Sequence, residues 1–469
     1  MKHEAQPLSL PQQLAYAAGN LGWATLLHVI YTLMVYFYLP PKAANIPQYI
    51  TQARFFGVLN AIVLIAAAGR VLEAFTDPLI AGLSDRSHLK RGRRIPFMLI
   101  GFLPAAATCA LMFMPLDDFS STRNLVWLIA MQTVFYPAFS LYAIPHSALL
   151  IEVTHDEKQR LNLATFTSLA YALSSLTAAM APVLAGAFQR GMSVDRSHGL
   201  QYAIVLLSAI AAVCMALPII FVSEKKHSSS LRHRQKTNGA GEMHQPVWLS
   251  LKTTFQNPCF LQFVASDCVY WTGLNIVTTG MLYYITVLLG LKEEALMVLM
   301  MILLATSFAF YPLVNYLGRR ISRKKLIQAA FVVFAAVFAF VFFLGRVPLA
   351  PYTQAVITMM VAALPFAFLG ILPNTILANI AEHDMLTTGV RKEGMYFAAR
   401  TMVMKVGQTF GIILFTILLS FGKERGNDIG VRMSGIAGFV LCLFAAVIFQ
   451  KYDEEKTLRE IERLKAEVA

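Results

Sequence analysis

The chain predicts an all-α membrane protein with about twelve transmembrane helices, on three observations. Hydrophobic residues make up 57% of the sequence against 14% charged, with a mean hydropathy of +0.59, far from a soluble composition. Apolar segments long enough to span a bilayer recur along the whole chain, and none shows the short alternating pattern of barrel strands. The basic residues gather between those segments on one side, as the positive-inside rule requires.

Taken in order, the candidate spans cover residues 14–39, 55–84, 95–115, 124–152, 161–189, 199–222, 257–290, 294–317, 326–345, 352–381, 394–421 and 429–450. The first is read as retained, because Met1 to Gln13 is polar and the apolar run from Leu14 ends in Pro40-Pro41 without a small-residue cleavage site. Loops from even to odd spans carry about twice the Lys and Arg of the opposite loops, which places both termini in the cytoplasm. Residues 223–256 break the pattern with a polar, basic stretch and then Trp248 to Phe255, a short segment suited to the membrane interface. The expected organisation is therefore a six-helix unit over 1–222, a cytoplasmic connection over 223–256, a second six-helix unit over 257–450 and a tail over 451–469. Within that tail, Leu458, Ile461, Leu464 and Val468 share one face of an amphipathic helix. Cys109, Cys214, Cys259, Cys268 and Cys442 all lie in apolar stretches without metal-ligand spacing and read as small packing residues.

The second span is the unusual one. Arg70, Glu73 and Asp77 fall on one helical face where lipid is expected, and each would cost roughly 3 kcal/mol at the bilayer centre. Three such charges on one stripe imply an aqueous pathway, although an Arg70–Glu73 pair could also serve only to hold helices together. Pro78 has no N–H to give the carbonyl of Ala74, so backbone oxygen is freed beside the acids. The span ends in Gly82-Leu-Ser-Asp85-Arg86, followed by Arg91, Arg93 and Arg94, and Gly318-Arg319-Arg320-Ile-Ser-Arg323-Lys324-Lys325 repeats that loop between spans eight and nine. Two related halves with a site near midplane are the architecture of alternating-access carriers. A multispanning enzyme would instead place its acids and His at the aqueous face.

The loop after span two resembles that of the major facilitator superfamily. Joined to Arg70-x-x-Glu73-x-x-x-Asp77-Pro78 and to Thr388-Gly389-x-Arg391-Lys392-Glu393-Gly394-x-Tyr396, the sequence resembles the glycoside–pentoside–hexuronide:cation symporters, the melibiose permease-like branch, over essentially its whole length. The resemblance implies the major facilitator fold of two six-helix bundles in a bacterial inner membrane. It implies no enzyme activity and no cofactor beyond a coupling ion, Na⁺ or H⁺, which drives uptake of a sugar, glycoside or related small polar solute. The family's cation-binding acids fall on Glu73 and Asp77, its neighbouring oxygen ligands on Thr76 and Ser140, and its charge-balancing groups on Arg70 and Lys405. Where melibiose permease-like members carry acids in helices one and four and an Arg in helix five, this chain has Ala24, Ala143 and Thr167. That departure leaves an amphiphile such as a lysophospholipid as the alternative substrate.

Tyr31, Tyr142, His146, Trp271 and Asn275 are candidate substrate-lining residues, as are His28 and Tyr270, each with plain packing as its alternative. Arg400 is read either as an anchor for an anionic substrate or as the partner of Asp267 in span seven. Asp85, Arg86, Arg91 and Arg93, together with Glu382, Asp384, Arg391 and Glu393, are expected to form salt bridges that close a cytoplasmic gate. The chain is expected to act as a monomer on a small-molecule substrate within the lipid bilayer, without nucleic acid.

Overall fold

The computed structural model describes residues 8–51, 54–55, 59–87, 92–154, 157–224, 247–318, 320–389 and 393–468. The chain divides into two compact units, Met1–Ala240 and Gly241–Ala469.

In the first unit, α1 (Leu10–Tyr38) begins in a capping box. The Ser9 N–H donates to Gln12 Oε1 at 3.0 Å, and the following Pro11 occupies a first-turn position where no N–H is needed. A two-residue antiparallel ladder, β1 (Arg54–Phe55) with β2 (Leu59–Asn60), precedes α2 (Ala61–Arg86). Then come α3 (Ile95–Met112), α4 (Thr122–Val153), α5 (Glu157–Ala179), α6 (Ala181–Met192) and α7 (Arg196–Phe221). The apolar segment expected as one span over 161–189 remains one crossing, Asn162–Met192, built from the two helices α5 and α6. The join falls at Met180, and Pro182 cannot donate to the carbonyl of Ala178 across it.

The second unit opens with α8 (Val247–Gln256), the short segment expected at the interface, which packs on the next and fifth-following helices of this unit. These are α9 (Pro258–Tyr283), which runs on into a π-helical turn at Tyr284–Leu288, then α10 (Ala295–Gly318), α11 (Arg323–Val341), α12 (Pro351–Thr388), α13 (Glu393–Leu419) and α14 (Ile429–Phe449). The tail helix α15 (Glu454–Val468) buries Ile461 and lies on α12, where His383 and Glu460 approach to 2.7 Å. At 1.5 Å per residue α12 is about 57 Å long, well beyond a hydrocarbon core of roughly 30 Å, and its projecting end is the part α15 covers.

The helix pairings of the two units correspond. In the first, α1 packs on α5 and α7, α4 on α2 and α3, and α3 on α7. In the second, α9 packs on α13 and α14, α12 on α10 and α11, and α11 on α14. Sequence repetition confined to one loop therefore extends to the packing of six helices in each unit. Ten helical spans among the described residues are long and apolar enough to cross a membrane. The expected spans outside that set are α2 and α9, the helices with the acids Glu73, Asp77 and Asp267.

One clasp recurs in both units. Just past α7, the buried Glu224 carboxylate accepts the backbone N–H groups of Arg93 at 2.6 Å, Arg94 at 2.9 Å and Ile95 at 3.3 Å, at the start of α3. Gly92 adopts φ +118°, and a β-carbon there would run into that carboxylate, so the turn requires glycine. Just past α14, Glu454 accepts Ser322 Oγ at 2.7 Å and the Lys324 N–H at 2.8 Å, at the start of α11. Each unit thus places an acid on the positive end of its third spanning helix, where the exposed N–H groups and the helix dipole favour negative charge.

Candidate functional site

The charged stripe of α2 is buried and organised. Arg70 Nη1 donates to Glu73 Oε2 at 2.8 Å, with the side chains 3% and 1% exposed, and the guanidinium lies 4.3 Å from the centre of the Tyr31 ring on α1. The i, i+3 spacing brings the pair together on one helix, and the aromatic face adds a second favourable contact for the cation. Gly69 lets α2 approach Gln132 and Tyr136 of α4 closely, since any side chain there would overlap both.

One turn further along α2, oxygen converges. Ser140 Oγ of α4 donates to Asp77 Oδ1 at 2.6 Å, and Thr76 Oγ1 lies 3.2 Å from Ser140 Oγ and 3.3 Å from the Glu73 carbonyl. The four residues expected to serve the cation are therefore together: Asp77, Thr76 and Ser140 form one oxygen cluster, and Glu73 sits a turn away in the grip of Arg70. A carboxylate with two hydroxyls is a hard, oxygen-only donor set of the kind that suits an alkali cation.

An aromatic layer lies alongside. Trp23 packs edge-on to Phe139 with ring centres 5.8 Å apart and tilted against Tyr171 at 6.0 Å, and His28 meets Tyr171 at 5.2 Å. His28 Nδ1 is 2.9 Å from both the Ala24 carbonyl and Ser174 Oγ. Among the described residues Trp23 Nε1 and Gln132 Nε2 have no hydrogen-bond partner although both atoms are buried. Trp23, Gln132, Tyr171 and Ser174 did not stand out in the sequence. A lone Trp in an apolar run gives no local signal, and only the packing of α1 on α4 and α5 assembles the group. Thr167, where related carriers have Arg, is spent locally: its hydroxyl donates to the Ala164 carbonyl at 2.9 Å and its own carbonyl accepts from Asn20 Nδ2 at 3.0 Å.

Two of the candidate substrate residues turn out to be packing residues. Tyr142 donates to the Met215 carbonyl at 2.8 Å, and His146 Nε2 lies 3.1 Å from the Tyr16 carbonyl while Tyr16 donates back to the His146 carbonyl. The stacked Tyr16, His146 and Tyr142 rings tie α4 to α1 and α7, and both candidates are essentially inaccessible, at 0% and 1%.

In the second unit, α9 and α13 bring Asp267 and Arg400 into a two-pronged pair, Nε to Oδ2 at 2.9 Å and Nη2 to Oδ1 at 3.1 Å. Arg400 Nη1 donates to Asn374 Oδ1 of α12 at 2.5 Å, and the Phe263 ring lies 5.5 Å from the guanidinium carbon. Trp271, one turn beyond Asp267, has its Nε1 buried without a partner among the described residues. Asn275 is 5% exposed, its Oδ1 3.4 Å from Thr279 Oγ1, and Tyr270 is packed among Phe331, Phe334 and Trp271. Lys405 follows on α13, half-buried, about 18 Å of helix from its start.

Of the expected gate, Arg91 and Arg391 lie outside the described residues, as do the side chains of Asp85, Arg86 and Glu393. The backbone N–H of Arg93 is held within its own unit by Glu224, a residue with no distinguishing signal in the sequence. Glu382 and Asp384 lie on the projecting end of α12, and Thr388 Oγ1 donates to the Asp384 carbonyl at 2.7 Å.

Comparison with known proteins bears on the family and the fold. Residues 14–449 match the family described as MFS/sugar transport protein. The inner membrane symporter YicJ of Escherichia coli K12 is 22% identical over 95% of this chain and 89% of its own length. The isoprimeverose transporter of Lactiplantibacillus pentosus is 22% identical over 88% and 86%, and the glucuronide carrier protein homolog of E. coli K12 is 23% identical over 83% and 85%. Among solved structures, a D-xylose-proton symporter superposes with a TM-score of 0.63 at 14% identity, covering 95% of this chain and 97% of its own. A bacterial homologue of the lysosomal transporter Spinster, in an inward-facing state, gives a TM-score of 0.66 at 12% identity over 97% of both. With a family match that runs from the first predicted span into the twelfth, relatives along nearly the whole length and the same fold in solved carriers, the chain is a multi-pass membrane transporter that belongs to the MFS/sugar transport protein family, in the glycoside–pentoside–hexuronide:cation symporter branch of the major facilitator superfamily.

Proposed function

We propose that the chain couples the entry of a cation to the transport of a sugar, glycoside or related small polar solute by alternating access. The observation that carries the reading is the oxygen cluster of Asp77, Ser140 and Thr76 beside the buried Arg70–Glu73 pair. Arg70, Glu73 and Asp77 together carry one net negative charge on a helix that must lie in the membrane, and a monovalent cation at Asp77 cancels it. The two hydroxyls favour Na⁺ over H⁺, because a proton needs only the carboxylate whereas Na⁺ needs several oxygens. Cation binding then raises affinity for the solute, and by linkage the solute raises affinity for the cation. The aromatic layer of Trp23, Tyr171 and Phe139, with the buried indole N–H, has the character of a sugar-stacking surface. The relatives named for isoprimeverose and glucuronide support this substrate class. In this reading the protein works as a monomer in the bacterial inner membrane with both termini cytoplasmic, and Lys405 takes part in coupling.

Vesicles with imposed Na⁺ or pH gradients test the proposal against a panel of glycosides, with a lysophospholipid as the competing substrate. Asp77→Asn and Glu73→Gln should abolish accumulation against a gradient while the protein remains folded in the membrane. Undiminished concentrative uptake in both variants would refute the coupling assignment.

A further inference from the structure

We infer that the second unit holds one acyl chain of a bilayer phospholipid in an apolar cavity among α9, α10, α11 and α12, with the lipid phosphate between Arg346 and Arg425. This site is separate from the residues assigned above to cation and solute.

The cavity exists because α10 packs extensively on α12 but only lightly on α11, which leaves the space between them to side chains. It encloses about 70 Å³, and no polar atom faces it. The three polar residues in its lining turn their hydroxyls elsewhere. Thr278 donates to the Asn275 carbonyl at 3.2 Å, Thr358 donates to the Gln354 carbonyl at 2.7 Å, and the Tyr284 hydroxyl lies 2.7 Å from Ser434 Oγ. Water would find no partner there, so the space suits hydrocarbon. On α12 the lining runs from Ala355 to Phe366, about 16 Å of helix, which matches the depth of one leaflet in a core of roughly 30 Å. Met281 and Met359 form part of the wall, and their unbranched side chains can turn aside for a chain longer than the space they now leave.

The polar end is built by two glycines. The π-helical turn Tyr284–Leu288 leads into Leu289, which lines the cavity. Gly345, at φ +76°, lies against the Leu288 carbonyl and is followed by Arg346, while Gly290, at φ +63°, lies under the Arg425 guanidinium. Arg346 and Arg425 are both exposed, and among the described residues neither meets a carboxylate. Arg432 is committed elsewhere, to Asp428 at 2.8 Å and to the Phe342 and Leu344 carbonyls at 2.6 and 2.9 Å. The same loops carry Lys292, Lys423, Glu293, Glu294 and Glu424, so it is the two guanidiniums without a carboxylate partner, and not a net charge, that select a phosphate. Exposed Phe343, Leu349, Phe421 and Ile429 flank them, which sets both at the level where hydrocarbon gives way to headgroups. A lipid held this way ties α10 to α11, a contact the protein itself leaves slight.

The test photolyses the full-length protein in vesicles of phosphatidylethanolamine and phosphatidylglycerol carrying a trace of phosphatidylglycerol with a diazirine on one tail. Peptide mass spectrometry then maps the adducts. Labelling of Met281 and Met359 in the cavity should exceed that of the exposed Val332 and Phe444. Arg346→Gln combined with Arg425→Gln should lower the cavity labelling about fivefold or more, the factor expected for even one cation near a phosphate, and leave Val332 and Phe444 unchanged. Ala362→Leu, which fills the cavity and alters neither arginine, should lower it as strongly. A diacylglycerol with the same diazirine tail, used on the parent protein, needs no variant and should label the cavity weakly. Cavity labelling no greater than that of Val332, or unchanged by the paired arginine variant, would overturn the inference. Equal labelling by the diacylglycerol would overturn it too, as the mark of an apolar crevice with no grip on a headgroup.

Discussion

Replacing Glu224 by Ala removes the acceptor of the backbone N–H groups of Arg93, Arg94 and Ile95. The carboxylate is 4% exposed and receives three backbone N–H groups at the start of α3, and Pro96 in the first turn has no N–H of its own to add. A hydrogen bond to a charged group is worth about 1.5–3 kcal/mol, and the two short ones dominate here, so the loss comes to about 3–4 kcal/mol after partial rescue by water. Glu224→Gln keeps one acceptor oxygen and loses the charge at the helix N-terminus, and should cost about half as much. For a cooperative unit of this size each kcal/mol shifts the melting point by roughly 2–4 °C, which puts Glu224→Ala about 6–16 °C below the parent protein. Thermal scanning of detergent-purified protein reads this directly. Glu454→Ala should lower the melting point less, because one of its two donors is the Ser322 hydroxyl, which can turn to water. A melting point for Glu224→Ala within 1 °C of the parent, or equal losses for Gln and Ala, would refute the clasp.

Two further outcomes follow from the geometry. Ser140→Ala deletes the hydroxyl 2.6 Å from Asp77 and should raise the cation concentration for half-maximal uptake about 5- to 50-fold, with Thr76→Ala weaker because its hydroxyl reaches Asp77 only through Ser140; cation titrations of initial uptake rate measure both. Lys423, between α13 and α14, has its pKa lowered to about 8 by burial, partly offset by the charge of Glu424. Because the unfolded chain holds that proton up to about 10.5, stability should rise with pH between about 8 and 10.5 and be at its lower level below 8. Lys423→Met should accordingly stabilise the protein at pH 7 and lose that advantage as the pH passes 8, in melting curves recorded across the range.

Periodicity and charge carried most of the fold. A run of apolar residues long enough to cross the bilayer has one low-energy solution, a helix, so the spans were readable from composition alone, and three ionisable groups at i, i+3 and i+7 marked α2 because their cost is so large. The break in the fifth span was not readable with equal ease. Pro182 divides its segment, yet Pro78, Pro104 and Pro312 lie inside continuous helices, because neighbouring helices and side chains decide whether the freed carbonyl can be satisfied. The oxygen cluster around Asp77 was legible through resemblance, since Thr76 and Ser140 are ordinary residues whose nearness to Asp77 depends on the packing of α2 on α4. Glu224 was overlooked for the opposite reason: it sits in a polar, charged stretch after Ser223, where an acid looks like a solubilising residue, and only the fold returns it to α3. Tyr142 and His146 looked like ligand groups because polar aromatics are costly in a membrane, but backbone carbonyls of α7 and α1 satisfy that cost as well as a substrate would.

The charge on each unit gives the coupling a physical form. The spanning part of α2 holds Arg70, Glu73 and Asp77, one net negative charge, and that of α9 and α13 holds Arg400, Lys405 and Asp267, one net positive charge. Neither set is neutral alone, and a low-dielectric surrounding makes each imbalance expensive. In the reading proposed above, a cation at Asp77 removes the first of these imbalances.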